Sequence, residues 1–249
     1  MFKHFMILSS SYSSGTRIAM HYVIGEEMNS QMLADEIKTI KQYCGETVSI
    51  STHYVETDSY DWRSVAEKDA FFADVHVVES LVEFVNLISE DRILKGIDIA
   101  KYILSVMKCT HLQLEKLVYM CYADYLCLTG KRLFDDRIYA FKFGPVIESV
   151  YEKYKGYKEI VDDVSIDDES TLGSKKMPAR SRILFAEDGV LKIAQIDSTI
   201  AKYGKCTAAE LVEMTHVSGG PWDSVSKNGS YVEIPDDIII ERHFKESIA

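Results

Sequence analysis

The run LQLEKLVYMCYADYLCL, Leu112–Leu128, leaves little freedom to the rest of the chain. Its polar members are Gln113, Glu115, Lys116 and Asp124, too few to form a wet face. A helix that is apolar nearly all round has to be surrounded by protein, so its neighbours in sequence must wrap it. Thr110-His111-Leu112-Gln113 in front of it reads as a capping box, the Thr hydroxyl taking one orphan backbone donor while Gln reaches back to the cap. Gly130 then ends the helix.

Elements able to wrap such a helix lie on both sides of it. Ile97–Val106 has helical spacing, as does Val190–Tyr203, which places Leu191, Ile193, Ile196 and Ile200 on one stripe. Thr207-Ala208-Ala209-Glu210 is a second capping box, and a short helix is expected from about Pro235. Between these comes YAFKFGPVIESVYEKY, Tyr139–Tyr154. Arg137–Phe143 alternates like a strand, putting Tyr139, Phe141 and Phe143 on one face and Ile138, Ala140 and Lys142 on the other. Three aromatics in line are read most simply as core against the central helix. Gly144 permits a corner, and Pro145 is expected at the first position of a helix running to about Lys155. The polar interval 162–181 is expected to be a mobile surface loop.

Residues 1–91 have a different texture and are expected to form a separate α+β unit of unknown role. His4–Leu8 and Thr16–Ile24 read as a hairpin across the serine-rich SSSYSSG, followed by a helix from about Ser30 to Tyr43, strand signals at Thr47–Val55 and Ala73–Val78, and a helix from Ser80. Residues 1–92 hold 7 basic and 15 acidic side chains, a formal −8, against 21 and 24, or −3, in residues 94–249. The change of charge and the polar Ser89–Arg92 support a boundary there, with a mostly helical domain over 94–249. The fold class expected is therefore α+β.

A net charge of −11 argues against a phosphate backbone as the main partner, because nucleic acid is held through clustered Lys and Arg. The odd count of five cysteines, Cys44, Cys109, Cys121, Cys127 and Cys206, has no disulfide-framework spacing and suits a reducing cytosol. No apolar run reaches bilayer length, and the N-terminus lacks a signal-peptide core, so a cytoplasmic protein without membrane attachment is expected.

Catalytic readings are thin. Ser9–Thr16 contains glycine after a strand, as phosphate loops do, but lacks the Gly-Lys-Ser/Thr ending and precedes a strand. Cys109 and His111, two apart at a helix start, point away from each other. Cys121 and Cys127 fall on different helix faces and lack zinc-site spacing. His216 reads as a C-terminal cap or packing residue in preference to a base, and the acidic pairs at 135–136, 162–163 and 167–168 as solvated turns. No catalytic residue, cofactor or metal is expected, and a non-enzymatic role is. Lys142, held between large rings and near Lys131 and Arg132, can offer a salt bridge to an acidic strip on a partner. Tyr122, Phe143, Tyr151, Tyr154 and Trp222 are the accompanying candidate anchors.

Leu112–Tyr157, with Leu-x-Gly-Lys-x-Leu-Phe-Asp and an Ala-aromatic-basic-aromatic-Gly-Pro-Val segment, resembles the signature of the Panacea domain of SocA-like and GepA-like antitoxins. Ala208–Val225, with Leu-x-x-x-Thr-His and Pro-Trp, is similar to that family's second block, and the resemblance covers about residues 95–245. Two departures concern surface detail: Phe141 and Phe143 stand where Trp and Tyr are common, and Gly219-Gly220 adds one residue before Pro221. The resemblance implies an antitoxin that binds and neutralises a cognate protein toxin of a toxin–antitoxin system, with one branch of the family delivering its toxin to a protease. The alternatives are a phage- or prophage-encoded inhibitor of a host protein or nucleotide signal, and an enzyme with its site in residues 1–91.

Overall fold

A computed structural model describes residues 1–12, 14–25, 30–162, 179–227, 229 and 231–247. They divide into two units, one of them Met1–Ile93 and the other beginning at Leu94. The fold is α+β, with strands concentrated at the N-terminal end and a mostly helical region after them.

The first unit is a four-stranded sheet in the order β3-β1-β2-β4, from β1 (Phe2–Ser11), β2 (Thr16–Ile24), β3 (Ser51–Thr57) and β4 (His76–Val77). β1 pairs antiparallel with β2 from Lys3↔Ile24 to Ser11↔Thr16, and with β3 on its other edge. As the central strand it is covered on both faces, which is why it reads as an unbroken apolar run. Ile7 joins Ile18, Ile40, Phe84 and Ile88 beneath α1 (Ser30–Cys44) and α3 (Leu81–Arg92), whereas Met6 and Leu8 meet Val65 and Phe72 from the segment around α2 (Trp62–Lys68). The serine-rich connection is a hairpin turn tied down by an acid: Asp91 Oδ2 accepts from Ser11 Oγ (3.0 Å) and Tyr12 N (2.7 Å). A carboxylate thus sits where a phosphate loop would need its anion.

The second unit is built around α5 (His111–Thr129), in which twelve residues from Leu114 to Leu126 are buried. Thr110 Oγ1 caps it by accepting from Gln113 N (3.2 Å), and Gly130, at φ +70°, closes it in the left-handed conformation. Gln113 does not complete the expected capping box. Its side chain donates instead to Cys206 O (2.7 Å), exchanging a local bond for one that joins two segments. Packed against α5 are α4 (Gly96–Val106), α6 (Glu148–Tyr154), α8 (Gly189–Tyr203), α9 (Ala208–Thr215) and α11 (Asp236–Arg242), with α7 (Ala179–Leu184) against α4 and α8, and α10 (Pro221–Ser226) against α11. Thr207 and Glu210 form the expected reciprocal box at the head of α9.

A three-stranded sheet, in the order β6-β5-β7, completes this unit: β5 (Ile138–Phe141), β6 (Gly144–Ile147) and β7 (Val232–Glu233). Here two expectations are corrected. Pro145 is in strand β6, opposite Ala140, and the helix starts only at Glu148. The aromatics of β5 do not face the central helix either: Ile138 and Ala140 are buried, while Tyr139 and Phe141 lie half-buried on the outer side. Most of the segment expected to be a mobile loop, 163–178, lies outside the described residues, and its end is helical, in α7.

Candidate functional site

The outward side of the β5–β6 hairpin is a cluster of rings. Tyr139 stacks on Tyr231 with centroids 4.6 Å apart and planes 12° from parallel, and Phe141 meets Tyr231 and Tyr151, each at 5.4 Å. Tyr231 is half exposed and holds a left-handed backbone, φ +68°, which a tyrosine adopts at a cost of about 1 kcal/mol or more. Three contacts hold it there: its N–H donates to Ala140 O (2.9 Å), its hydroxyl to Glu148 Oε1 (2.7 Å), and its ring lies on Tyr139. The bond to Glu148 raises the Tyr231 phenol to about 12.

Everything behind this face holds it still. The turn is two residues, Lys142 and Phe143, both exposed, with Lys142 Nζ 5.3 Å from the Phe143 ring centre. Gly144 follows at φ +100°, and a Cβ there would stand 2.8 Å from Thr215 Oγ1 and 3.2 Å from Lys116 Cε. Only glycine fits that combination of backbone and space. Two residues of the central helix then hold β6 by its backbone: Lys116 Nζ donates to Pro145 O (2.5 Å), and Glu115 Oε2 accepts from Ile147 N (3.2 Å). Both side chains are fully buried. Burial pushes the Glu115 carboxyl up and the Lys116 ammonium down, each opposed by attraction to the other. Glu246 adds to the attraction on Lys116.

The second sequence block supplies the other half of the clamp. Trp222 Nε1 donates to Phe141 O (2.8 Å), and His216 packs on Trp222 with ring centres 3.8 Å apart and planes tilted by 52°, while placing Nε2 3.4 Å from Lys142 O. His216 is the C-cap of α9, with Nδ1 2.6 Å from Val212 O, as its sequence position indicated. Both blocks therefore converge on one hairpin: Glu115, Lys116 and Thr215 brace its inner side, and His216 and Trp222 fix the carbonyls at its tip.

Of the eight residues singled out from sequence, four gather here. Lys142 and Phe143 form the exposed tip, Tyr151 packs on Phe141, and Trp222 is the half-buried brace. Tyr122 and Tyr154 are fully buried and present no surface. The hydroxyl of Tyr122 donates to Asp236 Oδ1 (2.6 Å) and accepts from Arg132 Nε (2.9 Å), so its work is internal. Lys131 pairs with Asp188 (2.7 Å), and Arg132 with Asp135 and Asp236, both at 3.3 Å. Tyr139, Phe141 and Tyr231 were missed as surface residues. The alternation of β5 did place Tyr139 and Phe141 on one face, but which face met the core was decided by Ile138 and Ala140.

Two cavities border α5 and the hairpin. One, about 410 Å³, is lined by Asp124, Cys127, Lys202 and His243 among others. Beside it runs a bonded network: His243 bridges Asp124 Oδ1 (2.9 Å) and Glu246 Oε2 (2.7 Å), Thr199 donates to Asp124 Oδ2 (2.7 Å), and Tyr119 donates to Glu246 Oε2 (2.8 Å), while Glu246 Oε1 is buried without a hydrogen-bond partner among the described residues. Burial alone would depress the His243 imidazole, but its two carboxylates hold it protonated up to about 9. The second cavity, about 350 Å³, lies beside Tyr139. Among the described residues no group of three or more His, Cys, Asp or Glu is placed to hold a metal ion, and no helix is long and apolar enough to cross a membrane.

Residues 114–223 match the family described as "Antitoxin SocA-like, Panacea domain". Antitoxin SocA of Caulobacter vibrioides (strain NA1000 / CB15N) is 29% identical over 141 residues, covering 53% of this chain and 71% of that protein. No solved structure matches the chain.

Proposed function

We propose that this protein, whose C-terminal unit carries a SocA-like Panacea domain, is an antitoxin that binds and neutralises a cognate protein toxin in the cytoplasm, without catalysing a reaction. The observation that carries this reading is the braced aromatic hairpin. Tyr139, Phe141, Tyr151 and Tyr231 expose ring surface from a backbone whose carbonyls and amides are already engaged from behind. Rigid aromatic surface is the material of interface hot spots, because little side-chain freedom is lost when a partner covers it. A hairpin built only for packing would have no need of a strained tyrosine on its outer side. The exposed Lys142–Phe143 tip adds one cation and one ring to the same edge.

The polar network around His243 supports the same assignment, since His243, Asp124 and Glu246 bond one another and hold the C-terminal segment against α5. The reading is tested by co-expressing the protein with the product of the adjacent gene. The expected result is relief of growth arrest together with a heterocomplex that survives size-exclusion chromatography. Growth arrest that persists, with no complex formed, would contradict it.

A further inference from the structure

The cavity beside Tyr139 is lined by Asp136, Arg137, Tyr139, Glu148 and Ser149. Its charges do not balance. Arg137 is engaged by Glu233 at 3.2 Å. Asp136 Oδ2 accepts from Gly96 N (2.7 Å), a neutral donor that leaves the carboxylate its charge. Glu148 receives the Tyr231 hydroxyl on Oε1 and has no ion-pair partner among the described residues. Two carboxylates thus face the space with no cation left to answer them. Ser149 also lines the space, with its Oγ enclosed by protein. The wall is the Tyr139 ring, kept in place by its stack with Tyr231.

A flat cation suits this arrangement better than any other side-chain type. A guanidinium can lie along a tyrosine face and fork its N–H donors onto a carboxylate. An anion would meet Glu148 and Asp136, and an apolar group would bury both without compensation.

We propose that this cleft takes an arginine side chain presented by the protein partner, with the ring of Tyr139 beneath it and Glu148 as its counter-ion. The inference deepens the antitoxin reading and rests on it for the source of the arginine, while the cleft's preference can be measured without the partner.

The experiment titrates the full chain with acetyl-Gly-Arg-Gly-amide and, separately, with the same peptide carrying citrulline, which keeps the shape and removes the charge. The readout is NMR of the Tyr139, Glu148 and Ser149 resonances. Saturable shifts with the arginine peptide, in the millimolar range expected of one side chain, are predicted. The variant E148Q, exposed and therefore folded, should weaken them about fivefold, and the citrulline peptide should give none. Equal shifts from citrulline, an unchanged response in E148Q, or no saturation by about 20 mM peptide would overturn the proposal. In the complex with the adjacent gene's product, E148Q should bind about tenfold more weakly than the unaltered chain. Equal binding would overturn the arginine assignment and leave the antitoxin reading standing, whereas failure of the unaltered chain to bind would remove that reading and leave the peptide result to decide the cleft.

Discussion

In the sheet unit two imidazoles stand side by side: His4 and His21 stack at 5.1 Å with Nδ1 and Nε2 2.8 Å apart, and His4 turns its other nitrogen to Thr57 and Ser59. In the helical unit they are opposite charges, Glu115 with Lys116, and His243 between Asp124 and Glu246. The first arrangement keeps a histidine neutral and the second keeps one charged. Burial, followed by repulsion from His4, lowers His21 to about 4, while the two carboxylates raise His243 to about 9. The difference teaches where the protein has invested its polar groups. Those of the sheet unit tie neighbouring strands and the hairpin turn together, and those of the helical unit hold a hairpin and a C-terminal segment onto α5.

That contrast can be broken most severely at Gly144. Gly144→Ala forces a side chain into the left-handed region and against Thr215, so a loss of about 3 kcal/mol is expected in chemical denaturation. The transition should move in the C-terminal unit alone. The two tryptophans, Trp62 and Trp222, lie one in each unit, so W62F and W222F backgrounds report the units separately.

His243→Ala comes next, at about 2–3 kcal/mol, because it takes the shared partner from the buried Glu246 and the half-buried Asp124. The pH dependence follows in opposite directions for the two units. The His243 contribution is complete below its ordinary 6.5 and is lost as pH rises from there to about 9, the folded state then holding a proton that the unfolded chain has released. For His21 the unfolded chain takes up a proton near 6.5 that the folded state refuses until about 4, so the sheet unit loses stability as pH falls through that window. Fluorescence melts of the two backgrounds at pH 5 and pH 9 check the signs. The same slope in both would erase the distinction.

The smallest expected effect is also the most informative about the site. Tyr231→Phe removes only the hydroxyl bond to Glu148 and should leave the melting curve within about 0.5 kcal/mol, as for other exposed positions, while loosening the outer face. Binding to the adjacent gene's product should fall severalfold. Binding that follows stability alone would reduce the face to packing.

Much of this was legible in the sequence because it rests on local rules. The all-round apolar pattern of Leu112–Leu128 required a buried central helix, and Thr207 with Glu210 required a helix start. The hairpin was not legible in the same way. Gly144-Pro145 satisfies a helix start as well as a strand, and what selects the strand is a pair of distant bonds, from Lys116 to Pro145 O and from Ile147 N to Glu115. Glu115 and Lys116 themselves look like ordinary helix polarity until burial shows them as the brace. Tyr231, far from β5 in sequence and isolated in a polar stretch, carries no periodic signal that would pair it with Tyr139.

The account stands on the claim that the outer face of the β5–β6 hairpin is where a partner protein docks. Hydrogen–deuterium exchange of the chain alone and in complex with the adjacent gene's product addresses that claim directly. The account predicts new protection centred on 138–147 and 231–233; protection confined to residues 1–93, with the hairpin unchanged, would contradict it.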